Sequence, residues 1–191
     1  MSLKEKIRKE IKEILLNLSF HDRKTKSLNI FNQLKQNTTF QKCKKIGLYL
    51  NMHDEVNTEN LIKYSFRKKK EIYIPYFDDK EMTMVRLPNY KQLKKTTLKL
   101  NVRQFDVSKL NKIDSVSAKG FLKLDLIILP GRAFTKYGVR LGRGKGYFDK
   151  YLCECTKQYL FPHLMGICFR EQLYEQIPKY KHDINVNTPT L

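Results

Sequence analysis

DLIILPGRAFTKYGVRLGRGKGYFDKYL, residues 125–152, is the stretch that decides the fold. The stretch opens as an apolar run, 124–129, and Pro130-Gly131 ends that run abruptly. Five of the chain's eight glycines lie between Gly131 and Gly146, and an aromatic, helix-like segment follows. Glycine permits tight turns and close approach of the backbone to a ligand. The pattern therefore predicts a buried strand, a ligand-binding loop and a helix, in that order.

The glycine loop also carries three cations, Arg140, Arg143 and Lys145. It is not a Walker A loop, because Gly146 follows Lys145 where serine or threonine is required, and position 139 is not glycine. It is not a dinucleotide fingerprint either, because Tyr147 stands where the third glycine should fall. Successive backbone N–H groups and the start of a helix nevertheless favour an anion. We predict that the loop binds phosphate.

Two acidic residues, Asp149 and Glu55, each allow two interpretations. Asp149, one turn into the predicted helix, either favours the helix dipole or pairs with a lysine, or it is an oxygen ligand for Mg²⁺. Glu55 follows the first predicted strand. It is either loop surface, which the residues alone favour, or an acceptor for the donor edge of a heterocycle.

Hydrophobic periodicity outside the loop predicts alternating strands and helices. The predicted strands are 45–50, 71–76 (with Pro75 at its end or at an edge), Met82–Leu87, 124–129 and 164–169. The predicted helices are 3–18 (with a capping box at 2–5), 21–35 (with Leu28, Phe31 and Leu34 inward), 58–69, 146–158 and a short one at 171–176. We interpret 88–123 as an exposed basic insertion with a short helix near 90–93.

This order predicts an α/β fold of one domain, 1–191, with an open, largely parallel (mixed) sheet, helices on both faces and a Rossmann-like three-layer sandwich. Ligands bind such sheets beyond the carboxyl ends of the strands. Loops 51–57 and 131–146 both follow strand ends. We therefore expect them to share one cleft.

The composition narrows the class of protein. The 191 residues can bury a core, and no apolar run approaches a membrane span or a signal peptide, so we expect a soluble, cytoplasmic protein. The four cysteines form no C-x-x-C pair and the histidines are scattered, which argues against zinc or a disulfide framework. The net charge of +19 invites an anionic partner.

The residues LPGRAFTKYGVRLGRGKGYFDKYL resemble the signature of the 5-formyltetrahydrofolate cyclo-ligase family, also called methenyltetrahydrofolate synthetases. The resemblance spans nearly the whole chain through further matching positions: Lys4-x-x-x-Arg8, Tyr49-Leu50 before Asp54-Glu55, Phe169-Arg170-Glu171-Gln172, Pro178 and Asp183. It implies an enzyme that uses ATP and Mg²⁺ to cyclise 5-formyltetrahydrofolate to 5,10-methenyltetrahydrofolate, releasing ADP and phosphate.

The resemblance also implies roles for particular residues. The implied ATP contacts are Lys4, Arg8, Arg140, Leu141, Gly142, Arg143, Gly144, Lys145, Gly146, Tyr147 and Phe148. The implied folate contacts are Leu50, Glu55, Arg143, Gly144, Lys145, Gly146 and Tyr147. Asp149 and Asp183 are the implied Mg²⁺ ligands, and we expect Lys145, Arg143 and Tyr147 to be catalytic.

Some positions depart from the family pattern, and other functions compete with it. Thr135 and Asn187 stand where acids are common, Phe148 replaces a tyrosine, and Arg132 is a bulky charge at the strand end. The alternatives are a basic protein that binds RNA or another single strand, and a different ATP-dependent phosphotransferase. We expect a monomer that binds ATP and a folate, polyglutamylated or not, and no membrane or nucleic acid.

Overall fold

The computed structural model describes residues 1–77, 81–99, 102–105, 123–180 and 183–190. Its strands are β1 (Lys45–Leu48), β2 (Glu71–Phe77), β3 (Met82–Leu87), β4 (Thr96–Lys99), β5 (Val102–Phe105), β6 (Leu126–Leu129), β7 (Ala133–Phe134), β8 (Arg140–Leu141), β9 (His163–Ile167) and β10 (Thr188–Thr190). Its α-helices are α1 (Leu3–Asn17), α2 (Phe20–Gln36), α3 (Thr38–Lys42), α4 (Glu59–Arg67) and α5 (Tyr147–Lys157). Short 3-10 helices span Tyr90–Lys95 and Arg170–Gln172.

The main sheet has the strand order β10-β9-β6-β1-β2-β3 within the described ranges. The first five of these strands run parallel, and β3 pairs antiparallel with β2. Strands β4 and β5 form a separate antiparallel pair, as do β7 and β8 inside the glycine loop. The largely parallel mixed sheet confirms the predicted fold class.

Helices cover both faces of this sheet. Consecutive residues of a strand point to opposite sides, so a single strand contributes side chains to the core on each face. In β6, Leu126 and Ile128 belong to the core that also holds side chains of α1, α2 and α4, such as Ile11. Ile127 and Leu129 belong to the opposite core, with side chains of α5 such as Leu152. No helix in the described part of the chain has the length and apolar character of a membrane span.

One expectation about packing, for Leu28, is wrong, and one of the two alternatives for Pro75 is excluded. Leu28 does not point inward: its side chain is exposed, and Ile30, two positions later, packs into the core with Leu34. Pro75 does not end its strand, since β2 continues to Phe77 inside the sheet. However, within β2 only Glu71–Tyr73 pair with β1, so Pro75 lies beyond the β1–β2 ladder. The N–H that proline lacks therefore removes no hydrogen bond between these two strands.

The sequence also left several elements unpredicted. Helix α3, strand β10 and the hairpins β4–β5 and β7–β8 are absent from the predicted pattern. The 3-10 helix at Tyr90–Lys95 confirms the short helix expected near 90–93. Most of the predicted basic insertion, residues 100, 101 and 106–122, lies outside the described residues.

Gly138 contacts the segment just before β10 through Val186, and replacing it is expected to destabilise the protein. Its φ is +84°, and a Cβ there would lie 2.1 Å from the carbonyl oxygen of Val186. The N–H of Val186 donates to the carbonyl of Gly138 at 2.9 Å. Gly138→Ala should therefore lower the free energy of unfolding by about 3 kcal/mol, from backbone strain and overpacking together.

Urea unfolding measures this loss, and Gly146→Ala is the matched control. Gly146 also has a positive φ, +68°, but a Cβ there would meet nothing within 4 Å. The control should therefore lose only the backbone term, about 1 kcal/mol. Equal losses in the two variants would contradict the assigned role of the Val186 contact.

Candidate active site

The two loops predicted to meet do share one cleft. Strands β1 and β6 are parallel neighbours, so their carboxyl ends deliver loops 51–57 and 131–146 to the same edge of the sheet. Between these loops lies a cavity of about 300 Å³. Its lining comprises Tyr49, Leu50, Met52, Glu55, Pro75, Phe77, Pro130, Gly131, Arg140, Gly142, Arg143, Lys145, Gly146, Tyr147, Phe148 and Asp149.

The start of α5 forms one wall of this cleft. The helix begins at Tyr147, and its N-cap Gly146 is left-handed and has no side chain to cap the first turn. The first N–H groups of a helix lack intrahelical partners and carry partial positive charge. Because Gly146, Tyr147 and Phe148 all line the cavity, this end of α5 is suited to bind an anion there.

The three cations of the glycine loop occupy different settings. Arg140 is built into the floor: its side chain is 3% exposed, and its guanidinium donates to Asp149 Oδ1 at 2.7 Å and to the Pro130 carbonyl at 3.2 Å. Arg143 pairs with Asp54 and Glu55. Lys145 is exposed and, among the described residues, pairs with no carboxylate; its ammonium lies 6.0 Å from the Tyr147 ring centroid. Lys145 is thus available to a ligand without breaking an ion pair.

Asp54 is a functional candidate that the sequence reasoning missed. Its carboxylate is 2% exposed, and it accepts hydrogen bonds from Arg132 through Oδ2 and from Arg143 through Oδ1. Arg143 also donates from Nε to Glu55 Oε1 at 3.0 Å. Glu55 Oε2 accepts from the N–H of Met52 at 2.9 Å. The acidic turn and the glycine loop are therefore joined by a four-residue ionic network.

The protonation of this network follows from its charges. Burial acts to raise the pKa of Asp54, but the hydrogen bonds and charges of Arg143 and Arg132 outweigh it and hold the pKa below its usual range. Burial acts to lower the pKa of Arg143, yet Glu55 and Asp54 raise it overall. Burial, and then the Glu55 charge, raise the pKa of Tyr49 well above its usual value. Asp54 is therefore a carboxylate and Arg143 a cation at neutral pH, and the Tyr49 hydroxyl keeps its proton.

The loop 51–57 turns Glu55 into the cleft instead of leaving it on the surface. Its side chain is 9% exposed, so the surface interpretation favoured by the residues alone does not describe it. The neighbouring Asp54 does not line the cavity. Two adjacent acids after a buried strand were a visible signal, but the sequence did not indicate which one would be buried behind the cleft.

Helix α1 reaches the glycine loop through Arg8, whose Nε donates to the carbonyl of Gly142 at 2.9 Å. One turn earlier, Lys4 is buried and pairs with Asp183, and its ammonium lies 3.8 Å from the Tyr180 ring centroid. Neither Lys4 nor Asp183 lines the cavity. Lys4 and Asp183, predicted to contact phosphate and Mg²⁺ respectively, form an ion pair with each other.

Of the remaining predicted contacts, Leu50 lines the cavity, while Arg8, Leu141 and Gly144 do not. Leu141 is buried in β8, and Gly144 lies against the Arg8 guanidinium. The sequence reasoning missed the apolar wall of the cleft, which is formed by Tyr49, Met52, Pro75 and Phe77. Phe77 meets Tyr147 edge to face, with ring centroids 5.1 Å apart.

The residues that depart from the expected pattern have structural partners. Arg132 pairs with Asp54, and Thr135 Oγ1 accepts from the N–H of Val139 at 3.1 Å in the β7–β8 hairpin. Asn187 Oδ1 accepts from the N–H of Leu164 at 2.7 Å. Phe148 lines the cleft, with its ring centroid 6.0 Å from the Arg140 guanidinium. Only Phe148 among these four lines the cavity.

Comparisons with known proteins find relatives over nearly the whole chain. Residues 1–189 match the model of the 5-formyltetrahydrofolate cyclo-ligase family. A Mus musculus 5-formyltetrahydrofolate cyclo-ligase is 38% identical over 97% of this chain and 92% of its own length. A probable Caenorhabditis elegans cyclo-ligase is 29% identical over 97% and 90%. The solved Aquifex aeolicus 5,10-methenyltetrahydrofolate synthetase superposes with a TM-score of 0.76 at 27% identity, covering 99% of this chain and 89% of that one.

Proposed function

The chain belongs to the 5-formyltetrahydrofolate cyclo-ligase family, a family of ligases, and from that premise we propose that it uses ATP and Mg²⁺ to close 5-formyltetrahydrofolate to 5,10-methenyltetrahydrofolate. One observation carries the proposal. A single cavity presents the Glu55 carboxylate on one side and the start of α5, with Lys145 and Asp149, on the other. A folate and a nucleotide phosphate chain can therefore meet inside it.

The folate side of the cleft combines an apolar wall with one fixed acceptor. Met52, Pro75 and Phe77 offer the flat apolar surface on which a heterocycle packs. Glu55 is held by the Met52 N–H and by Arg143, so its carboxylate is oriented before any ligand arrives. A preorganised carboxylate is a strong acceptor for the amide and amino donors of a pterin. We assign recognition of the folate ring to Glu55, with Leu50 beside it.

The phosphate side supplies charge where phosphoryl transfer needs it. In the proposed step, the formyl oxygen attacks the γ-phosphorus of ATP and the bond to the ADP oxygen breaks. N10 then attacks the activated formyl carbon, the N10 proton is lost, and inorganic phosphate leaves to give the methenyl product. Phosphoryl transfer depends mainly on positioning and charge neutralisation. Lys145, Arg143 and the first N–H groups of α5 serve these two needs, and Tyr147 borders both substrates.

The carboxylate of Asp149 fits a magnesium ion bound together with phosphate. It lines the cleft, and within the described residues hydrogen bonds reach only its Oδ1, from Arg140. Mg²⁺ prefers hard oxygen ligands and is commonly held by one or two carboxylates plus substrate phosphates. When bound, the ion would neutralise negative charge on the phosphates. Asp183 fits less well, because Lys4 and the Tyr180 N–H already bind its Oδ2.

Several finer assignments stay predictions. Arg8 is one helical turn from Lys4 and contacts the loop carbonyl of Gly142, which supports a phosphate role near the loop. The surplus positive charge suits a polyglutamate tail. We retain the monomeric state and the cytoplasmic location as predictions. The RNA-binding alternative is not favoured, since several aromatic rings that it would use for stacking, including Phe40 and Phe134, are fully buried.

An absorbance assay for the methenyl product tests the proposed function. Purified protein, 5-formyltetrahydrofolate, ATP and Mg²⁺ should give the product together with one ADP per turnover. Omission of either ATP or Mg²⁺ should abolish the signal. A folded protein that forms no product under these conditions would contradict the proposal, and salt-sensitive RNA binding without folate-dependent ATP hydrolysis would favour the alternative.

Glu55→Gln is expected to impair folate recognition far more than ATP use. Replacing the charged acceptor weakens charge-assisted hydrogen bonds, so the KM for 5-formyltetrahydrofolate should rise roughly 10- to 100-fold. The KM for ATP should change by less than about threefold, because Asp54 still holds Arg143 through a charge-assisted bond. Steady-state kinetics with each substrate varied in turn measure both values. Unchanged folate kinetics would rule out the role assigned to Glu55.

A further inference from the structure

We propose that Asp54 is a positioning residue that keeps the Arg143 guanidinium in place for ATP while folate occupies Glu55; the inference rests on the proposed function. Asp54 lies behind the cleft and does not line the cavity, whereas Arg143 and Glu55 do. It would therefore act through Arg143 and touch neither substrate.

Arg143 has two anchors on one edge and a free edge opposite. Its Nε donates to Glu55 Oε1, and its Nη2 contacts both Glu55 and Asp54. Its Nη1 donates to no group among the described residues. Because the guanidinium is planar and its donors are fixed in a fork, holding the Nε–Nη2 edge fixes the direction of the Nη1 edge. That edge is the one left to bind a phosphate oxygen.

The two anchors differ in their exposure to a ligand. Glu55 lines the cavity, and the folate ring is proposed to bind its carboxylate. Arg143 binds the same carboxylate through Oε1. Asp54 is buried and is itself fixed by Arg132, whose side chain is 11% exposed. A folate bound at Glu55 therefore competes for the exposed anchor only. Asp54 is the anchor that persists in the ternary complex.

This arrangement predicts that the loss of Asp54 is mild without folate and severe with it. In the free protein, Glu55 still holds Arg143 after Asp54→Asn. With folate bound, the same variant loses its second anchor as well. A residue that merely stabilised the fold would produce the same loss in both conditions. The dependence on folate is thus a signature that a structural role does not share.

The experiment compares two readouts in wild type and Asp54→Asn. Titration with a non-hydrolysable ATP analogue and Mg²⁺, without folate, should give a Kd within about threefold of wild type, because one charge-assisted bond remains. The kcat at saturating ATP and 5-formyltetrahydrofolate should fall roughly 10- to 100-fold, the cost of a lost charge-assisted hydrogen bond. Equal losses in both readouts, or an unchanged kcat, would overturn the proposal.

Further variants separate this effect from misfolding. Asp54→Asn leaves Arg132 without its anion, so the double variant Asp54→Asn/Arg132→Gln, which leaves no unpaired buried charge, should show the same folate-dependent loss. Glu171→Gln, which removes the Lys26–Glu171 ion pair, is the control and should change neither readout by more than about twofold, as expected for a partly exposed pair.

A wild-type protein that forms no methenyl product would refute the proposed function, and the inference with it. An active wild type with an unaffected Asp54→Asn variant refutes the inference alone.

Discussion

Lys145→Ala is expected to lower kcat/KM for ATP by about 100- to 1,000-fold, the usual cost of removing one hydrogen-bond donor that stabilises developing charge in an active site. Lys145 lines the cleft beside the start of α5, and in the described part of the chain no carboxylate neutralises it. Its ammonium is therefore available to the phosphate chain. Steady-state kinetics with ATP varied at saturating folate measure the loss.

The same substitution should leave the thermal unfolding midpoint unchanged, because an exposed loop cation contributes little to a core. Lys150→Ala is the matched control: it removes the same charge from the same segment, but Lys150 is exposed and does not line the cavity. It should keep nearly full activity. A comparable loss of activity in Lys150→Ala would indicate that net charge, and not the position of Lys145, explains the effect.

The site could be predicted from the sequence to the extent that topology determined it. The apolar runs at β1 and β6 identify buried parallel strands, and the carboxyl ends of adjacent parallel strands meet at one edge of the sheet. That rule alone brought loops 51–57 and 131–146 together. The glycines and the start of α5 then indicated an anion site, because those properties depend on local backbone only.

Contacts between distant segments could not be predicted in this way. Lys4 and Asp183 are 179 positions apart and Asp54 and Arg143 are 89 apart, and periodicity carries no information about such pairs. Charged side chains such as Lys4 and Asp183 were therefore assigned to ligands. In the folded chain these two side chains form an ion pair with each other. Burying an unpaired charge is costly, so a cleft with both signs of charge forms internal ion pairs before any ligand binds.

Asp149→Asn is expected to give the largest loss of activity, on the order of 1,000-fold in kcat/KM. The reason is the proposed role of Asp149 in holding Mg²⁺ against the phosphates, because a bound metal contributes several kcal/mol of transition-state stabilisation. The variant should also require a higher Mg²⁺ concentration for half-maximal rate, because an amide oxygen is a weaker ligand than a carboxylate for a hard cation. Initial rates over a range of Mg²⁺ concentrations at fixed ATP measure this shift.

Asp149 also pairs with the buried Arg140, so a loss of activity alone would not identify its role. Arg140→Lys weakens the same ion pair, because an ammonium cannot reproduce the fork that reaches both Asp149 and the Pro130 carbonyl, yet it keeps the Asp149 carboxylate. Both variants should lose stability, by about 1–3 kcal/mol in urea unfolding, since each leaves a polar group in the floor of the cleft poorly paired. Only Asp149→Asn should shift the Mg²⁺ midpoint. If Arg140→Lys shifts it equally, the carboxylate acts by supporting Arg140, and the metal role assigned to Asp149 is wrong.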